Sequence, residues 1–489
     1  MENSSKLSSN RRRAPFWVLL DQGAGRFVRI TASVVLARFL VPEDFGVYAL
    51  SLSLLELARL TGNLGIGSAI IQSPDAPKTF SDSAFWVNMA ATSFMFINAC
   101  ILGLLGSSFL HSPNLVYTVP ALGLTFIFTG ATHINHSLLA RELEFKTMAK
   151  ASIAKLAIES LISIVLAVSG FGVWSFILGY VSGDIIHSIL IWVWTDWRPK
   201  LKPNFRYPRK YWSFGGHIFI FCLSSFMLEH IPSLIIGRIS TVYFLGLFTF
   251  AWRQSRWIGD MPKLVGKNIL FPTFSRLQSN SLEFEKIYSK WLRFMLIWGS
   301  PIFFLQFALA PMYVPLIFGE KWIAAIPALQ FLVILAFTEV TFYVPHSEAL
   351  TALGKVKLNA YWRILESIAV GILLVFVSNF GSTAIAVGIM LVRIGLLPFY
   401  LISTHVKLKI HFRTFVKNVF PALLMALCGW VLLPLIINIG LQNKLVIVSP
   451  ILVISLIIWI IVGLRFAPET KSLVKEIIHP IRKIGKSYI

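Results

Sequence analysis

Long apolar segments follow one another along almost the whole sequence, with only short polar connections between them. A helix crosses the hydrocarbon core of a bilayer with about 20 apolar residues, and in lipid only helices and closed barrels satisfy a spanning backbone. Segments of this length therefore predict an all-helical membrane protein. Only 13% of the 489 residues are charged and the mean hydropathy is +0.73, which indicates lipid, not water, as the main solvent.

Glycine, proline and charged residues bound these segments and divide them into about fourteen spanning helices. The predicted spans cover residues 15–40, 44–70, 82–106, 115–140, 151–169, 173–196, 214–237, 242–261, 291–312, 324–345, 358–378, 382–404, 418–437 and 445–464. The longest predicted connections are 197–213 and 262–290.

Basic residues are confined almost entirely to alternate loops. If the basic N-terminal segment lies in the cytoplasm, the cytoplasmic loops and tails carry 31 Lys and Arg residues and the opposite loops carry three. The positive-inside rule therefore predicts a multi-pass membrane protein with both termini in the cytoplasm. Because the net charge of +22 is spread over these loops, we expect membrane lipids and no nucleic acid as partners.

An arginine, a glycine and an aromatic residue recur with the same spacing 200 residues later, at Arg38, Gly46 and Tyr48 and at Arg238, Gly246 and Phe248. Since an even number of spans separates the two patterns, the halves have the same orientation, which predicts two pseudo-symmetric six-helix lobes around a central cavity. The predicted divisions are an N-lobe with a basic tail (1–205), a C-lobe (206–405), and two C-terminal helices with a basic tail (406–489).

Ionisable residues inside the predicted spans are the main functional clue, because a charge at the bilayer centre costs about 2.5–3.5 kcal/mol on insertion scales. Basic residues outnumber acidic ones in two of these helices. An excess of arginine predicts a cavity for an anion with two or more charges, since guanidinium binds phosphate oxygens in pairs. The candidate substrate-binding residues are Arg26, Arg29, Arg59, Arg253 and Arg256.

Other charged residues in the spans have different predicted roles. The candidates for binding a coupling ion, H⁺ or Na⁺, are Glu56, Glu229 and Asp260. Basic and acidic residues three or four positions apart predict structural ion pairs at Lys155/Glu159 and Arg363/Glu366. The alternative for every arginine in a span is an interhelical ion pair or a side chain that reaches the lipid headgroups.

No cofactor or metal site is expected. His133 and His136 have helical spacing, but the sequence offers no third ligand. Gly485, Lys486 and Ser487 do not form a P-loop, because Pro480 stands where the earlier glycine is needed. Energy is therefore expected from an ion gradient or from the gradient of the substrate.

Two stretches, LARFLVPEDFGVYAL at 36–50 and GNLGIGSAIIQ at 62–72, resemble the start of bacterial polysaccharide flippases of the Wzx type. These flippases belong to the multidrug/oligosaccharidyl-lipid/polysaccharide exporter superfamily. The stretch FPTFSRLQ at 271–278 is also similar. One departure is Glu-His-Ile-Pro at 229–232, where family members often carry Asn and Asp, and it weakens the ion-coupling assignment of Glu229.

The resemblance implies a carrier, not an enzyme, in the bacterial cytoplasmic (inner) membrane. It moves undecaprenyl-diphosphate-linked oligosaccharide repeat units to the outer leaflet for exopolysaccharide or O-antigen biosynthesis. The polymerase and glycosyltransferases of the same pathway are the implied partners. The alternatives are a lipid II flippase, a multidrug exporter of the same superfamily, and a polysaccharide polymerase or ligase. An exporter of cations favours acidic cavity groups, and a polymerase or ligase needs a sizeable outer loop, whereas the outer loops here are short.

Overall fold

The computed structural model describes residues 2–62, 70, 78–200, 215–408 and 420, and the regular structure within them is helical. A helix lies over each predicted span from 15–40 to 382–404. The predicted spans 418–437 and 445–464 and the basic tail after them lie outside the described residues, apart from residue 420. The all-helical membrane class is therefore confirmed, and the count of fourteen spans stays a prediction.

The chain forms two compact units, Met1–Gly246 and Leu247–Ile489. The helices of the first unit are α1 (Glu2–Phe39), α2 (Pro42–Leu60), α3 (Lys78–Phe109), α4 (Leu115–Arg141), α5 (Phe145–Val168), α6 (Trp174–Trp194), α7 (Gly215–Glu229) and α8 (Ile231–Ile239). Helix α9 (Val242–Val265) begins in the first unit and continues into the second. The predicted lobe boundaries at residues 205 and 405 stay a prediction.

The second unit continues with α10 (Phe271–Arg276), α11 (Ser281–Phe294), α12 (Ser300–Tyr313), α13 (Ile326–Thr338), α14 (Val344–Ala352), α15 (Val356–Val377) and α16 (Ser382–Leu408). Single π-helical turns join several of them, at Gly266–Leu270, Met295–Gly299, Val314–Phe318 and Glu339–Tyr343. Short 3₁₀ turns lie at Glu320–Ala325 and Ser378–Phe380.

Within the described residues, eight helical stretches are long and apolar enough to cross a membrane. They are Phe80–Phe109, Leu115–Arg141, Phe145–Val168, Trp174–Trp194, Ser281–Phe318, Glu320–Ala352, Val356–Phe380 and Ser382–Ser403. Helices α1, α2 and α9 fall below that limit because they carry charged residues in their apolar stretches. Those charges include most of the candidate site residues predicted from the sequence.

Two predicted boundaries are corrected. Helix α1 begins at Glu2, so the segment expected to be a tail is helical. The predicted connection 262–290 is mostly helical as well, because α9 continues through Pro262 and α11 starts at Ser281. The Asn280 side chain caps α11 by accepting a hydrogen bond from the Glu283 N–H at 3.2 Å, and apolar residues at helical spacing bury one face of α11.

Helices α5 and α6 approach closely at two glycines of α6 that are four residues apart. A Cβ at Gly179 would lie 1.9 Å from the Ser163 Oγ, and one at Gly183 would lie 3.0 Å from the Glu159 Cβ. Small residues at this spacing let spanning helices pack backbone to backbone. The close approach places the polar side chains of α5 against those of α6.

The glycines of the internal repeat face each other's backbone. A Cβ at Gly46 would lie 2.1 Å from the carbonyl oxygen of Val242, and one at Gly246 would lie 1.7 Å from that of Pro42. Pro42 and Val242 are themselves 200 residues apart, so the first turns of α2 and α9 make the same contact in both directions. Only glycine permits this approach, since a Cβ under 3.0 Å from backbone forces a shift.

The predicted seventh span is broken. Helix α7 ends at Glu229, α8 begins at Ile231, and Pro232 in the first turn of α8 has no N–H to continue the ladder. Discontinuous helices in membranes are tolerated where they line a cavity. The break therefore marks a place for polar contacts.

Candidate functional site

Three basic side chains of the second unit surround the carboxylate of Glu339. Arg256 and Lys263 lie seven residues apart on α9 and so share one face of the helix. The Arg256 Nη2 lies 3.5 Å from the Glu339 Oε2, and the Lys263 Nζ lies 3.0 Å from the Oε1. Arg393 on α16 completes the group, with its Nη1 3.7 Å from the Oε2. We call these four residues the Glu339 cluster.

Arg393 also forms an ion pair with Glu366 on α15. Arg363, the predicted partner on the same helix, also attracts Glu366, but more weakly than Arg393 does. Glu366 is 6% exposed and Arg393 is 9% exposed. Because the pair is shielded from water, separating its charges is costly, and it holds α15 and α16 together.

Lys155 on α5 forms an ion pair with Asp184 on α6. The partner predicted from the sequence, Glu159, four residues along α5, also attracts Lys155, but more weakly than Asp184 does. Lys155 also lies 5.1 Å from the centre of the Tyr180 ring. This pair stabilises the contact between α5 and α6.

Glu56 and Arg59 pair on one face of α2, with the Arg59 Nη1 3.0 Å from the Glu56 Oε1. The Arg59 guanidinium lies 5.6 Å from the centre of the Phe126 ring on α4. The pair is partly open to solvent, since 41% of the Arg59 side chain and 28% of the Glu56 side chain are exposed. It is therefore better placed to meet a ligand than the buried pairs.

A cavity of about 140 Å³ lies where α2 faces the break between α7 and α8. It is lined by Glu56, Arg59, Leu60, Cys222, Ser225, Phe226, Glu229 and His230. The Ser53 Oγ lies 3.4 Å from the His230 Nδ1. Two of the three residues predicted to bind a coupling ion, Glu56 and Glu229, therefore share one cavity, and the third does not line it.

Arg26 and Arg29 lie on α1, as predicted, and differ in exposure. Arg29 is exposed, whereas Arg26 is partly buried. The Arg26 Nη1 is buried, and among the described residues no hydrogen-bond partner faces it. The Oε1 of Gln22, one turn earlier, is in the same situation. A buried guanidinium nitrogen without a partner is costly for a protein and suits an anionic ligand.

The remaining predicted residues lie at the surface of α9. Arg253 and Asp260 are exposed, and the structure brings Arg256, not Arg253, to the Glu339 cluster. Sequence reasoning assigned Lys263 to a cytoplasmic loop and missed it as a site residue. Its position two helical turns after Arg256 is the signal that identifies it.

Residues 35–327 match the sequence profile of the family described as polysaccharide biosynthesis protein. The succinoglycan biosynthesis transport protein ExoT of Rhizobium meliloti (strain 1021) is 21% identical over 355 residues, which cover 72% of this chain and 71% of ExoT. The lipopolysaccharide biosynthesis protein WzxC of Escherichia coli (strain K12) is 22% identical over 374 residues, 74% of each chain.

Among solved structures, the lipid II flippase MurJ in its inward closed conformation is similar in fold. The TM-score is 0.69, and the match covers 93% of this chain and 100% of that chain. The sequences are only 14% identical. This similarity shows the fold alone and carries no information about the cargo.

Proposed function

Since the chain belongs to the polysaccharide biosynthesis protein family, we propose that it is a flippase for undecaprenyl-diphosphate-linked oligosaccharide repeat units. It moves them across the bacterial cytoplasmic membrane, with both of its termini in the cytoplasm, for exopolysaccharide or O-antigen biosynthesis. It acts as a carrier, not as an enzyme, and hands its cargo to a polymerase on the outer side. Relatives named for succinoglycan transport and lipopolysaccharide biosynthesis support this choice of cargo.

The observation that carries the proposal is the gathering of Arg256, Lys263 and Arg393 around one carboxylate within the helical bundle. Cations at membrane depth are expensive unless they serve a ligand or a partner. Here Glu339 faces three of them, and Glu366 pairs with only one, Arg393. A diphosphate offers more charge and more acceptor oxygens than a carboxylate, so it suits this environment.

In the first unit, the proposed contacts to the diphosphate or the adjoining sugars are Arg26, Arg29 and Arg59. The buried Arg26 Nη1 without a partner among the described residues supports this role. Arg253 on α9 is exposed and is proposed to guide the anion electrostatically. The lipid tail stays in the bilayer while the head group crosses by alternating access.

The energy source is proposed to be H⁺ or Na⁺ bound in the cavity beside α2. Glu56 and Glu229 both line it, and His230 adds a third titratable group. Binding of a cation there neutralises a carboxylate that otherwise pairs with Arg59, which links the ion to a candidate substrate residue. Asp260 lies on a different helix, and its proposed role is limited to attracting cations to the surface of α9.

The test is leaflet-resolved detection of lipid-linked oligosaccharide in cells depleted of this protein and complemented with variants. Depletion and Arg256→Ala are both expected to leave the repeat units in the inner leaflet and to abolish polymer export. Lys286→Ala, at an exposed position of α11, is the matched control and is expected to restore export. Normal export in depleted cells refutes the proposal, and accumulation of lipid II instead of oligosaccharide reassigns the cargo.

A further inference from the structure

Glu339 opens the π-helical turn Glu339–Tyr343 between α13 and α14. Such single turns interrupt α-helices and frequently lie at functional sites. The Glu339 side chain is 21% exposed, so the neighbouring side chains do not cover it completely. It therefore combines two properties that a purely structural counter-ion does not need, a local distortion of the helix and partial exposure.

The two sides of the Glu339 cluster differ in how firmly they are held. Arg393 is fixed by its ion pair with Glu366 and by Tyr343, whose hydroxyl donates to the Arg393 carbonyl oxygen at 2.9 Å. Arg256 and Lys263 are positioned by α9, with Arg256 lying 4.2 Å from the centre of the Trp252 ring. With Glu366 assigned to Arg393, Glu339 is the main counter-charge of Arg256 and Lys263, and the exposed Asp260 attracts Lys263 more weakly.

The contact with Arg256 is incomplete. Its distance of 3.5 Å to the carboxylate is longer than the 2.7–2.9 Å typical of a charge-assisted hydrogen bond, whereas the Lys263 contact is 3.0 Å. A single carboxylate thus does not satisfy both cations at their preferred distances. Two linked phosphate groups have more oxygens, farther apart, and can contact both cations at once.

We propose that Glu339 is a resident anion, which holds Arg256 and Lys263 in place of a phosphate and is displaced when a lipid diphosphate binds. Lys263 is then a substrate-contacting residue. The inference rests on the proposed function and adds to it a competitor built into the site. Competition of this kind favours a ligand with two phosphates over less charged lipids, because only a ligand of higher charge replaces the carboxylate with a net gain.

The experiment measures the affinity of the purified full-length protein, in lipid nanodiscs, for radiolabelled undecaprenyl diphosphate. Glu339→Gln removes the competing charge and keeps the shape of the side chain. We expect it to bind the probe roughly fivefold more tightly than the wild type, the ratio that about 1 kcal/mol gives. Lys263→Ala is expected to bind several-fold more weakly. The matched control Glu320→Gln removes an exposed carboxylate outside the Glu339 cluster and is expected to produce no gain.

Glu339→Asp is the second variant, in case Glu339→Gln does not fold. It keeps the charge, withdraws it by one methylene from both cations, and is expected to give a smaller gain in affinity. Unchanged or weaker binding by the folded Glu339 variants, with normal binding by the wild type, overturns the resident-anion proposal alone. Absence of binding by the wild type itself overturns the proposed function and, with it, this inference.

Discussion

The ion pair between Lys155 and Asp184 permits a quantitative test of how the first unit is stabilised. The Asp184 side chain is 3% exposed and the Lys155 side chain is 24% exposed. Lys155→Met leaves a buried carboxylate without its main partner, which typically costs about 3–5 kcal/mol. Arg59 also attracts Asp184, so we expect the lower end, about 3 kcal/mol.

Asp184→Asn is expected to cost less, about 1–2 kcal/mol. The remaining ammonium is partly hydrated, and Glu159 attracts it from the same helix. The matched control is Glu159→Gln, which removes the partner that the sequence predicted. Because the attraction between Glu159 and Lys155 is the weaker one, we expect less than about 1 kcal/mol there.

The assay is reversible unfolding of the purified protein by SDS in mixed micelles, followed by tryptophan fluorescence at constant pH and lipid content. The expected order of destabilisation is Lys155→Met, then Asp184→Asn, then Glu159→Gln. A loss for Glu159→Gln as large as that for Lys155→Met refutes the reasoning, because the dominant partner is then on α5. A neutral Lys155→Met refutes it as well, since the buried carboxylate then costs nothing.

Three further predictions concern packing and use the same unfolding assay. Gly179→Val puts methyl groups where the Ser163 Oγ lies and is expected to cost about 1–3 kcal/mol, and more than Gly183→Ala, whose new Cβ meets its neighbour at 3.0 Å. Gly246→Ala drives a Cβ into the Pro42 carbonyl and is expected to destabilise the protein by a similar amount, whereas Gly395→Ala, with no atom within 4 Å of the new Cβ, is its neutral control. Tyr288→Phe removes the hydroxyl that contacts the fully buried His346 and is expected to cost about 1–3 kcal/mol; an unchanged midpoint contradicts that estimate.

The fold class and the family were accessible from the sequence because both depend on features local to the chain. Apolar length and loop charge identify spanning helices without any knowledge of their packing. The stretches 36–50 and 271–278 indicated polysaccharide flippases, and the match over residues 35–327 confirms that family. The number of spans, the lobe arrangement and the cargo depend on how distant parts of the chain pack together, and so they do not follow from local features.

The ion pairs show why the rest was not predictable. Spacing along a helix proposes partners three or four residues away, and so it suggested Glu159 for Lys155 and Arg363 for Glu366. The structure gives Asp184 and Arg393, which belong to neighbouring helices. In a medium of low dielectric the strongest partner is the nearest one in space, and helix packing decides which residue that is.

Lys263 illustrates a different failure. A proline followed by several basic residues is typical of a loop, but α9 continues through Pro262 and relaxes into a π-helical turn at Gly266–Leu270. The basic side chain therefore projects from a helix onto Glu339. The spacing of seven residues between Arg256 and Lys263 indicates that both lie on one face of a helix. Because residue 263 was assigned to a loop, this spacing was not used.

The reciprocal contact of Gly46 and Gly246 limits how the two halves of the chain can diverge. Where two side chains meet, a larger residue at one position can be compensated by a smaller residue at the other. The two positions of such a pair therefore change together. Here each glycine meets a backbone carbonyl oxygen, at Val242 or at Pro42. No substitution makes a backbone carbonyl group smaller. A second mutation that restores the function lost by a substitution at either glycine therefore has to shift a helix, because it cannot shorten the group that the new side chain meets.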